Sequence, residues 1–577
     1  MPHPDIKPVG GSGRRPKQKR SSPGVRKRVV KPFSPKRANR YFILFIFIAS
    51  CLLYGNTILN DLSVGDQYFT RDAVVKQGMK AIPLIFSSRS SWDSGQTGVP
   101  GSVYEPVTKL TFALEYEFFG DRPGMSHAFN LVIYFFLSAL LFFLLKRILN
   151  RYNILFPFLI TMLFMVHPVH TEVVASLKNR GEMLAFLCGC GALWYLTDYA
   201  ETRSFRFLFF ALLLFFTGAL CKGSIFFFIL IFPFILHFHS GMPLRKSAPA
   251  FLLSLAVVVS ATFLPRIIIP GMTVAGTWAD NPLFIDHNFW IRIGTSFMAL
   301  LFYLKILVYP VHLVYYYGYD MIQIVSMLNL WVLFSMLLHA ILLFYAIRKF
   351  REKHILSLAI LWYLLAIVPF SNLFFPVRGI VSESFVFTAS AGFCIAVVYV
   401  IFTLFRTDPR TLTIETDARI EILSLLIIIT IPSTLMTISR NTNWKNQETL
   451  YKADMDELAY SANANLGYAG FLLQKAYASP EYRKRGRVDE NCKHEIISRL
   501  RRSLRIYPKN INALNEIAKV YLEVAGQPDS SLIFLGKATE LDPLNEEALL
   551  NLGKTYLYLG DYRKAAYYAR MAEAVKK

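Results

Sequence analysis

The chain has 577 residues, of which 54% are hydrophobic, and a formal net charge of +23 at pH 7. Its mean hydropathy of +0.38 excludes an ordinary soluble protein, and its length excludes a single small domain. Repeated apolar runs of about 17 to 25 residues are typical of membrane-spanning helices. We therefore expect an all-α, polytopic membrane protein.

Residues 1–40 form a basic tail with 13 Lys or Arg residues against one acid, Asp5, so 12 of the 23 net charges lie there. Such a tail is suited to binding nucleic acid or anionic lipid. We favour a disordered cytoplasmic anchor, because Lys and Arg beside a first membrane helix stay inside. Membrane lipids are therefore expected partners and nucleic acid is not. No cleavable signal peptide is expected.

Twelve apolar segments follow the tail. They are residues 41–54, 126–145, 154–166, 182–197, 207–220, 225–237, 248–264, 289–309, 330–346, 355–369, 385–405 and 420–436. If 289–309 crossed the membrane, the basic run 348–353 would lie outside, and Arg292 and Lys305 are costly in lipid. We therefore predict eleven crossings and one re-entrant or protein-buried segment, with the N-terminus cytoplasmic and the C-terminus extracytoplasmic.

The first extracytoplasmic loop, residues 56–125, is the longest polar interruption of the membrane domain, which we place at 41–438. Loops of this length usually carry function. This one contains several acids, among them Asp66, together with Tyr104 and Glu105. We expect it to lie over the membrane as half of an active site.

Residues 439–577 change to a soluble, helical pattern with an internal repeat. The matching pairs, 35 positions apart, are Pro508 and Pro543, Ala513 and Ala548, Ala518 and Gly553, and Tyr521 and Tyr556. A third unit begins at Ala462, with an insertion of about 16 residues after it. This spacing indicates extracytoplasmic tetratricopeptide repeats, whose concave surface suits an extended peptide. An unrelated helical bundle is the alternative.

Charged residues recur where the predicted helices meet the outer membrane surface. They are His167, His170, Glu172, Arg180, Glu182, Lys222, Arg292, Lys305, Arg378 and Glu383. Both signs at one depth suit transfer from a donor with a phosphate leaving group. A carboxylate takes the acceptor's proton and the cations hold the charge that develops on phosphate. Lys222 could instead extend from a helix end toward water.

The sequence His167-Pro-Val-His170-Thr-Glu172 has three interpretations. It could bind a metal, form hydrogen bonds to a phosphate or to neighbouring site residues, or serve packing alone. Two histidines three residues apart point about 300° apart around a helix, and Pro168 makes the backbone irregular. No resident metal or cofactor is assigned, although a divalent metal stays open. The six cysteines have neither a disulfide pattern nor a zinc spacing.

A series of motifs carries a resemblance. In order, they are YEPVTKLTF (104–112), SHAFN (126–130), FMVHPVHTE (164–172), NRGEML (179–184), LCK (220–222), DNP (280–282), YGYD (317–320), NLFFP (372–376), Glu383 and NWK (443–445). With the repeats, they resemble the transmembrane, tetratricopeptide-repeat-containing protein O-mannosyltransferases and their bacterial relatives. The resemblance covers nearly the whole chain beyond the tail.

The resemblance implies a GT-C glycosyltransferase fold and a polyprenyl-phosphate-linked sugar donor, typically mannose. Transfer would go to Ser/Thr hydroxyls of exported proteins, with inversion, and the repeats would gather these acceptors. Asp66 would be the general base, while Tyr104 and Glu105 would lie on the acceptor side. A bacterial inner membrane is expected, or the endoplasmic reticulum membrane in a eukaryote.

The chain departs from the family pattern at Gly65, Glu105, Gly223 and Ser384, which removes two acids and two cations. These losses admit a second function, a catalytically degenerate membrane scaffold that binds exported proteins. A transporter is a third class, but the membrane part shows no internal duplication.

Overall fold

A computed structural model describes residues 35–87, 90–92, 101–268, 278, 280–411 and 414–576. It divides into two units, Met1–Leu44 and Phe45–Lys577. The described residues of the first unit, 35–44, are helical. Residues 1–34, most of the predicted tail, lie outside the described part, so the prediction for the tail stays a prediction.

The chain up to residue 443 is almost entirely helical where it is described. The helices are α1 (Pro35–Tyr54), α2 (Gln67–Thr70), α3 (Ile82–Ser87), α4 (Pro106–Phe119), α5 (Pro123–Ile148), α6 (Leu155–Met165), α7 (Thr171–Ala175), α8 (Arg180–Thr202), α9 (Phe205–Ala219), α10 (Phe226–Ser240), α11 (Leu244–Ile268), α12 (Phe289–Val308), α13 (Leu330–Phe350), α14 (Ile355–Ile367), α15 (Glu383–Leu404) and α16 (Thr416–Asn443). Two short antiparallel strands, β1 (Ser90–Trp92) and β2 (Gly101–Val103), lie in the first loop.

All twelve predicted apolar segments are helical, which confirms an all-α polytopic membrane protein. Within the described ranges, nine helices are long and apolar enough to cross a membrane, and α6 with α7 would make a tenth. This last pair is bent by 59° at its break. The two remaining segments, α9 and Ile355–Phe370, are apolar but shorter. Of the twelve predicted segments, nine, or ten with the bent pair, are thus long and apolar enough to cross a membrane, and the number of crossings stays a prediction.

The helix termini lie at two faces. The one where α8 and α15 begin is called the cleft face, because the cavity described below lies there. At the opposite face, where α5 and α8 end, Arg147 pairs with Asp198. His237, near the end of α10, stacks on Phe350 at the end of α13 with ring centroids 4.6 Å apart. Helix α13 therefore begins at the cleft face and ends at the opposite one.

Helix α12 differs from the re-entrant segment that we predicted, because it is continuous over 20 residues. Its first half lies beside the start of α13: Val325 N donates to Thr295 Oγ1 at 3.4 Å, and Ser335 Oγ donates to Phe297 O at 2.7 Å. That contact places the beginning of α12 near the cleft face.

The other end of α12 also lies near the cleft face. Tyr303 OH donates to Phe370 O at 3.2 Å, and His167 Nε2 is 2.9 Å from Leu307 O. Phe370 follows α14 and His167 follows α6, and both residues lie at the cleft face. Helix α12 is nevertheless one of the nine helices that are long and apolar enough to span a bilayer. The expected return of this segment to the same side therefore stays a prediction.

Eight further helices form the C-terminal region. They are α17 (Gln447–Asp454), α18 (Ala462–Ala478), α19 (Pro480–Arg485), α20 (Glu490–Ile506), α21 (Ile511–Lys519), α22 (Pro528–Leu541), α23 (Glu546–Tyr558) and α24 (Tyr562–Lys576). Helices α18 and α20, α21 and α22, and α23 and α24 pack as consecutive pairs. A Cβ at Gly553 would lie 3.4 Å from Ala565 O, so a small residue suits the contact between α23 and α24. Helix α19 lies in the sequence of the predicted insertion, and the assignment of the pairs to tetratricopeptide repeats stays a prediction.

A buried ion pair joins the last membrane helix to this region. Arg440 on α16 binds Asp454 at the end of α17 through two hydrogen bonds, and the Nη2–Oδ2 distance is 2.8 Å. The backbone N–H of Tyr315 donates to Asp454 Oδ2 at 2.8 Å. Such a pair costs much to break, because removing one partner leaves a buried charge. The C-terminal region is therefore held against the cleft face.

Candidate functional site

A cleft of about 300 Å³ lies at the cleft face, between the first loop, the beginnings of α8 and α15, and the 315–317 segment. Its described lining comprises Val64, Gly65, Phe69, Glu105, Glu172, Lys178, Asn179, Glu182, Lys222, Asp280, Tyr315, Tyr316, Tyr317, Arg378, Gly379, Val381, Ser382, Ser384 and Phe385. Five of the thirteen predicted site residues line it: Glu105, Glu172, Glu182, Lys222 and Arg378.

Lys222 lies between α9 and α10, where the extended backbone before Gly223 carries it into the cleft. Its Nζ is 2.6 Å from Glu105 Oε1, and 26% of its side chain is exposed. Burial acts to lower the pKa of Lys222, but the carboxylates of Glu105, Glu182 and Glu172 outweigh burial and raise it. The ammonium group therefore stays charged, and part of it faces the cleft.

Glu105 precedes α4, whose first residue is Pro106. Proline suits a first helical position because its missing N–H would have no partner there. Burial raises the pKa of Glu105, and Lys222 and Lys109 act against that rise. The position where the family pattern has a cation thus carries a buried carboxylate paired with Lys222.

Glu172, on the short helix α7, accepts hydrogen bonds from the loop before α15. Ser384 N lies 3.0 Å from its Oε2, and Ser382 Oγ lies 3.2 Å from the same oxygen. Asn179 Nδ2 donates to its backbone oxygen at 3.1 Å. Ser384, a departure from the family pattern, therefore helps to position Glu172 through its backbone.

Asp66 is fully buried and does not line the cleft, whereas its neighbour Gly65 does. Ser63 N and Ser63 Oγ donate to its Oδ2 at 2.8 and 2.6 Å. Ser176 Oγ and Lys178 N donate to its Oδ1 at 3.0 and 2.9 Å. Four donors occupy this carboxylate, so its geometry suits a positioning role.

Arg180 is also completely buried, at the first position of α8. Its guanidinium binds Glu115, Thr111 Oγ1, Asn130 Oδ1 and Ser126 O, which engages all five of its N–H groups. The same guanidinium stacks over Phe112 at 3.8 Å. Arg180 therefore joins α4, α5 and α8 below the cleft and does not line it.

The two histidines lie inside the bend between α6 and α7. His167 Nε2 is 2.9 Å from Leu307 O, and His170 Nε2 is 2.8 Å from Ser390 Oγ. Over the described residues, no three His, Cys, Asp or Glu side chains are grouped for a metal ion. In this fold the two imidazoles connect α12 and α15 to the bend.

Four other predicted residues lie away from the cleft lining. Arg292 and Lys305 are on α12, where Lys305 is exposed with Nζ 5.9 Å from the Phe302 ring centroid. Glu383 is buried at the start of α15 and accepts a hydrogen bond from Tyr317 OH at 2.7 Å. Tyr104 OH donates to Phe86 O at 2.9 Å within the first loop. The cleft therefore holds fewer of the predicted cations than the helix-end pattern indicated.

The C-terminal region reaches the cleft through Asn463 at the start of α18. Its Nδ2 donates to Asp280 Oδ1 and to Tyr316 OH, each at 3.0 Å, and Tyr316 OH donates to Asp280 Oδ1 at 3.0 Å. Asp280 belongs to a motif that the sequence singled out, but Asn463 and Tyr316 were missed. Three consecutive tyrosines in a loop were a signal for Tyr316, whereas nothing local marked Asn463.

Comparison with known proteins finds no matching family model. Protein O-mannosyl-transferase TMTC1 of Homo sapiens is 25% identical over 529 residues, covering 83% of this chain and 56% of the relative. Protein O-mannosyl-transferase F38B6.6 of Caenorhabditis elegans is 26% identical over 463 residues, covering 79% and 61%. Protein O-mannosyl-transferase TMTC4 of Homo sapiens is 23% identical over 433 residues, covering 64% and 56%. The chain spans about three fifths of the length of these relatives.

The fold and the cleft define the class of protein: a multi-pass, all-α membrane protein with a charged cleft at one face. Within this class, the similarities relate the chain to the transmembrane, tetratricopeptide-repeat-containing protein O-mannosyltransferases. They confirm the resemblance that the motifs carry.

Proposed function

We propose that this chain transfers a mannosyl group from a polyprenyl-phosphate carrier to Ser or Thr hydroxyls of exported proteins, with inversion at the anomeric carbon, as a GT-C enzyme. The names of its relatives support mannose and a protein acceptor. The position of the cleft at one end of the membrane helices supports a lipid-linked donor, since such a lipid presents its phosphate at that depth. The reaction would occur at the extracytoplasmic side.

This proposal rests on the position of Lys222. It is a partly exposed ammonium in a cleft lined by Glu105, Glu172 and Glu182. Its charge would stabilise the phosphate as the sugar leaves, because a cation placed in a site of low water content stabilises developing negative charge strongly. A carboxylate would accept the proton of the attacking hydroxyl. Asp66 is the base that the resemblance implies, but its four hydrogen bonds favour positioning.

The test uses the purified full chain in lipid nanodiscs with mannosyl-phosphoryl polyprenol and a panel of folded proteins and Ser/Thr peptides. We expect a mass increase of one hexose on the acceptor, and a loss of about 100-fold or more for Lys222→Gln. Lys475→Gln is the control, because Lys475 is an exposed lysine of the C-terminal region.

Failure of the wild type to transfer mannose would overturn the proposal. Binding of the same acceptor proteins without transfer would favour a membrane-anchored scaffold. Transfer by Lys222→Gln at the wild-type rate would remove Lys222 from the mechanism.

A further inference from the structure

Glu105 has a buried oxygen without a partner. Its Oε1 pairs with Lys222 Nζ at 2.6 Å, while Oε2 is buried and receives no hydrogen bond from the described residues. The side chain is 5% exposed. A buried acceptor without a donor is unfavourable and calls for an explanation. A hydroxyl group of a substrate would supply the missing donor.

Three neighbouring carboxylates already accept hydrogen bonds. Asp66 accepts four hydrogen bonds, Glu172 accepts from the loop before α15, and Asp280 binds Asn463 and Tyr316. Among the carboxylates that line the cleft in the described ranges, Glu105 alone has a buried oxygen without a partner. The unpaired oxygen therefore distinguishes Glu105 from the other carboxylates of the cleft lining.

The backbone of α8 packs close to this oxygen at Gly181. A Cβ at position 181 would lie 3.1 Å from Glu105 Oε2 and 2.8 Å from Cys221 O. A side chain there would therefore crowd Oε2 against the backbone that leads to Lys222. The first turn of α8 approaches Glu105 closely because it carries glycine at this point.

We propose that Glu105 is the proton acceptor for the attacking hydroxyl in this chain. The proposal rests on the proposed mannosyl transfer and assigns its base to Glu105 in place of Asp66. The Ser or Thr oxygen forms a bond to the anomeric carbon, and the bond from that carbon to the phosphate oxygen breaks. The hydroxyl proton moves to Glu105 Oε2, and the polyprenyl phosphate leaves with the bonding electron pair.

The pairing of Glu105 with Lys222 couples the two halves of this step. When the carboxylate takes the proton, it loses the charge that binds Lys222. The ammonium is then available to the phosphate, which gains one negative charge as it leaves. The pKa of Glu105, raised by burial against the opposing effect of Lys222, suits a base that works closer to neutral pH.

The decisive variant is Glu105→Gln, which keeps the shape of the side chain and removes its basicity. With the full chain in nanodiscs, we expect kcat to fall by about 10²- to 10⁴-fold. The KM for mannosyl-phosphoryl polyprenol and the melting temperature should stay near their wild-type values. The acidic limb of the pH–rate profile should disappear, and Glu105→Asp should recover part of the rate together with that limb.

A matched comparison separates proton acceptance from a structural role. Asp66→Asn should lower the melting temperature and keep the acidic limb. If Glu105→Gln loses activity but keeps the limb, and Glu105→Asp recovers nothing, Glu105 only holds Lys222 and the proposal is overturned. Wild-type rates in Glu105→Gln would overturn the assignment of Glu105 while mannosyl transfer stands. An inactive wild type would overturn both.

Discussion

Asp66 connects two parts of the chain that are about 110 residues apart. Its carboxylate accepts from Ser63 on one side and from Ser176 and Lys178 N on the other. We expect Asp66→Asn to destabilise the protein by roughly 2–4 kcal/mol, because an amide nitrogen cannot accept these bonds and leaves buried donors unpaired. Thermal unfolding in detergent measures the loss.

Asp61→Asn is the control, since Asp61 is an exposed acid of the same loop. Its melting temperature should stay near the wild-type value. An Asp66→Asn protein that keeps its melting temperature but loses transfer at every pH would instead give Asp66 a chemical role.

A second prediction for a single residue concerns Lys222 and the pH dependence of the transfer rate. Burial raises the pKa of Glu105, and the charge of Lys222 acts in the opposite direction. Lys222→Met removes that opposing charge, so the pKa of Glu105 should rise further. Glu105 would then lose its proton only at higher pH, which moves the acidic limb of the pH–rate profile upward. The residual transfer rate from pH 5 to 9, plotted on a logarithmic scale, measures the shift.

Lys178→Met provides the comparison, since Lys178 lines the cleft without pairing with Glu105. The acidic limb of the pH–rate profile should move less in Lys178→Met than in Lys222→Met. An acidic limb at the same pH in Lys222→Met and in the wild type would contradict the electrostatic coupling of these two residues.

The direction in which a site residue points was not predictable from the sequence. Gly65 and Asp66 are adjacent, yet one lines the cleft and the other is buried. Gly65 has φ of +88°, a backbone conformation that L residues rarely adopt, and the partners of Asp66 are distant in sequence. By contrast, Glu172, Glu182 and Lys222 were found because each lies at a helix end near one membrane surface.

At the scale of elements, the apolar segments were predictable because membrane helices need long apolar runs. The path of these helices relative to the membrane was less predictable. Hydropathy cannot tell whether an apolar helix such as α12 crosses, because contacts with α13 and with the bend at His167 decide it. The irregular backbone expected at Pro168 is a bend between α6 and α7, but its angle of 59° was not predictable from the sequence.

Labelling tests the path of α12. Trp290 and Tyr309, near its two ends, are 58% and 59% exposed. We expect single cysteines at these positions, in a chain without its six native cysteines, to react with a membrane-impermeant maleimide added from the same side of sealed vesicles. The reason is that both ends lie near the cleft face.

A cysteine at Arg351, which follows α13, is the control for the opposite face and should react only from the other side. Modification of Trp290→Cys and Tyr309→Cys from different sides would show that α12 crosses the bilayer.

At the scale of the whole molecule, the C-terminal region packs against residues that line the cleft. Asn463 on α18 binds Asp280 and Tyr316, which line the cleft, and the Arg440–Asp454 pair holds α17 nearby. Trp278 stacks on Tyr507 after α20 with ring centroids 4.5 Å apart. We therefore predict that this region helps to fix the shape of the cleft wall.

Asn463→Leu tests whether this wall shapes the site. The substitution removes the two hydrogen bonds that Asn463 donates to Asp280 and Tyr316. We expect the cleft wall to contact the part of the acceptor that carries the attacking hydroxyl. The kcat/KM should therefore fall by about 10-fold, equivalent to about 1.4 kcal/mol, for short Ser/Thr peptides and for whole proteins alike. A substitution on a distant repeat surface, Tyr562→Ala, should affect whole proteins alone or nothing, since Tyr562 is 72% exposed on α24. If Asn463→Leu lowers kcat/KM for whole proteins but leaves short peptides unchanged, the repeats only capture acceptors and the cleft is complete without them.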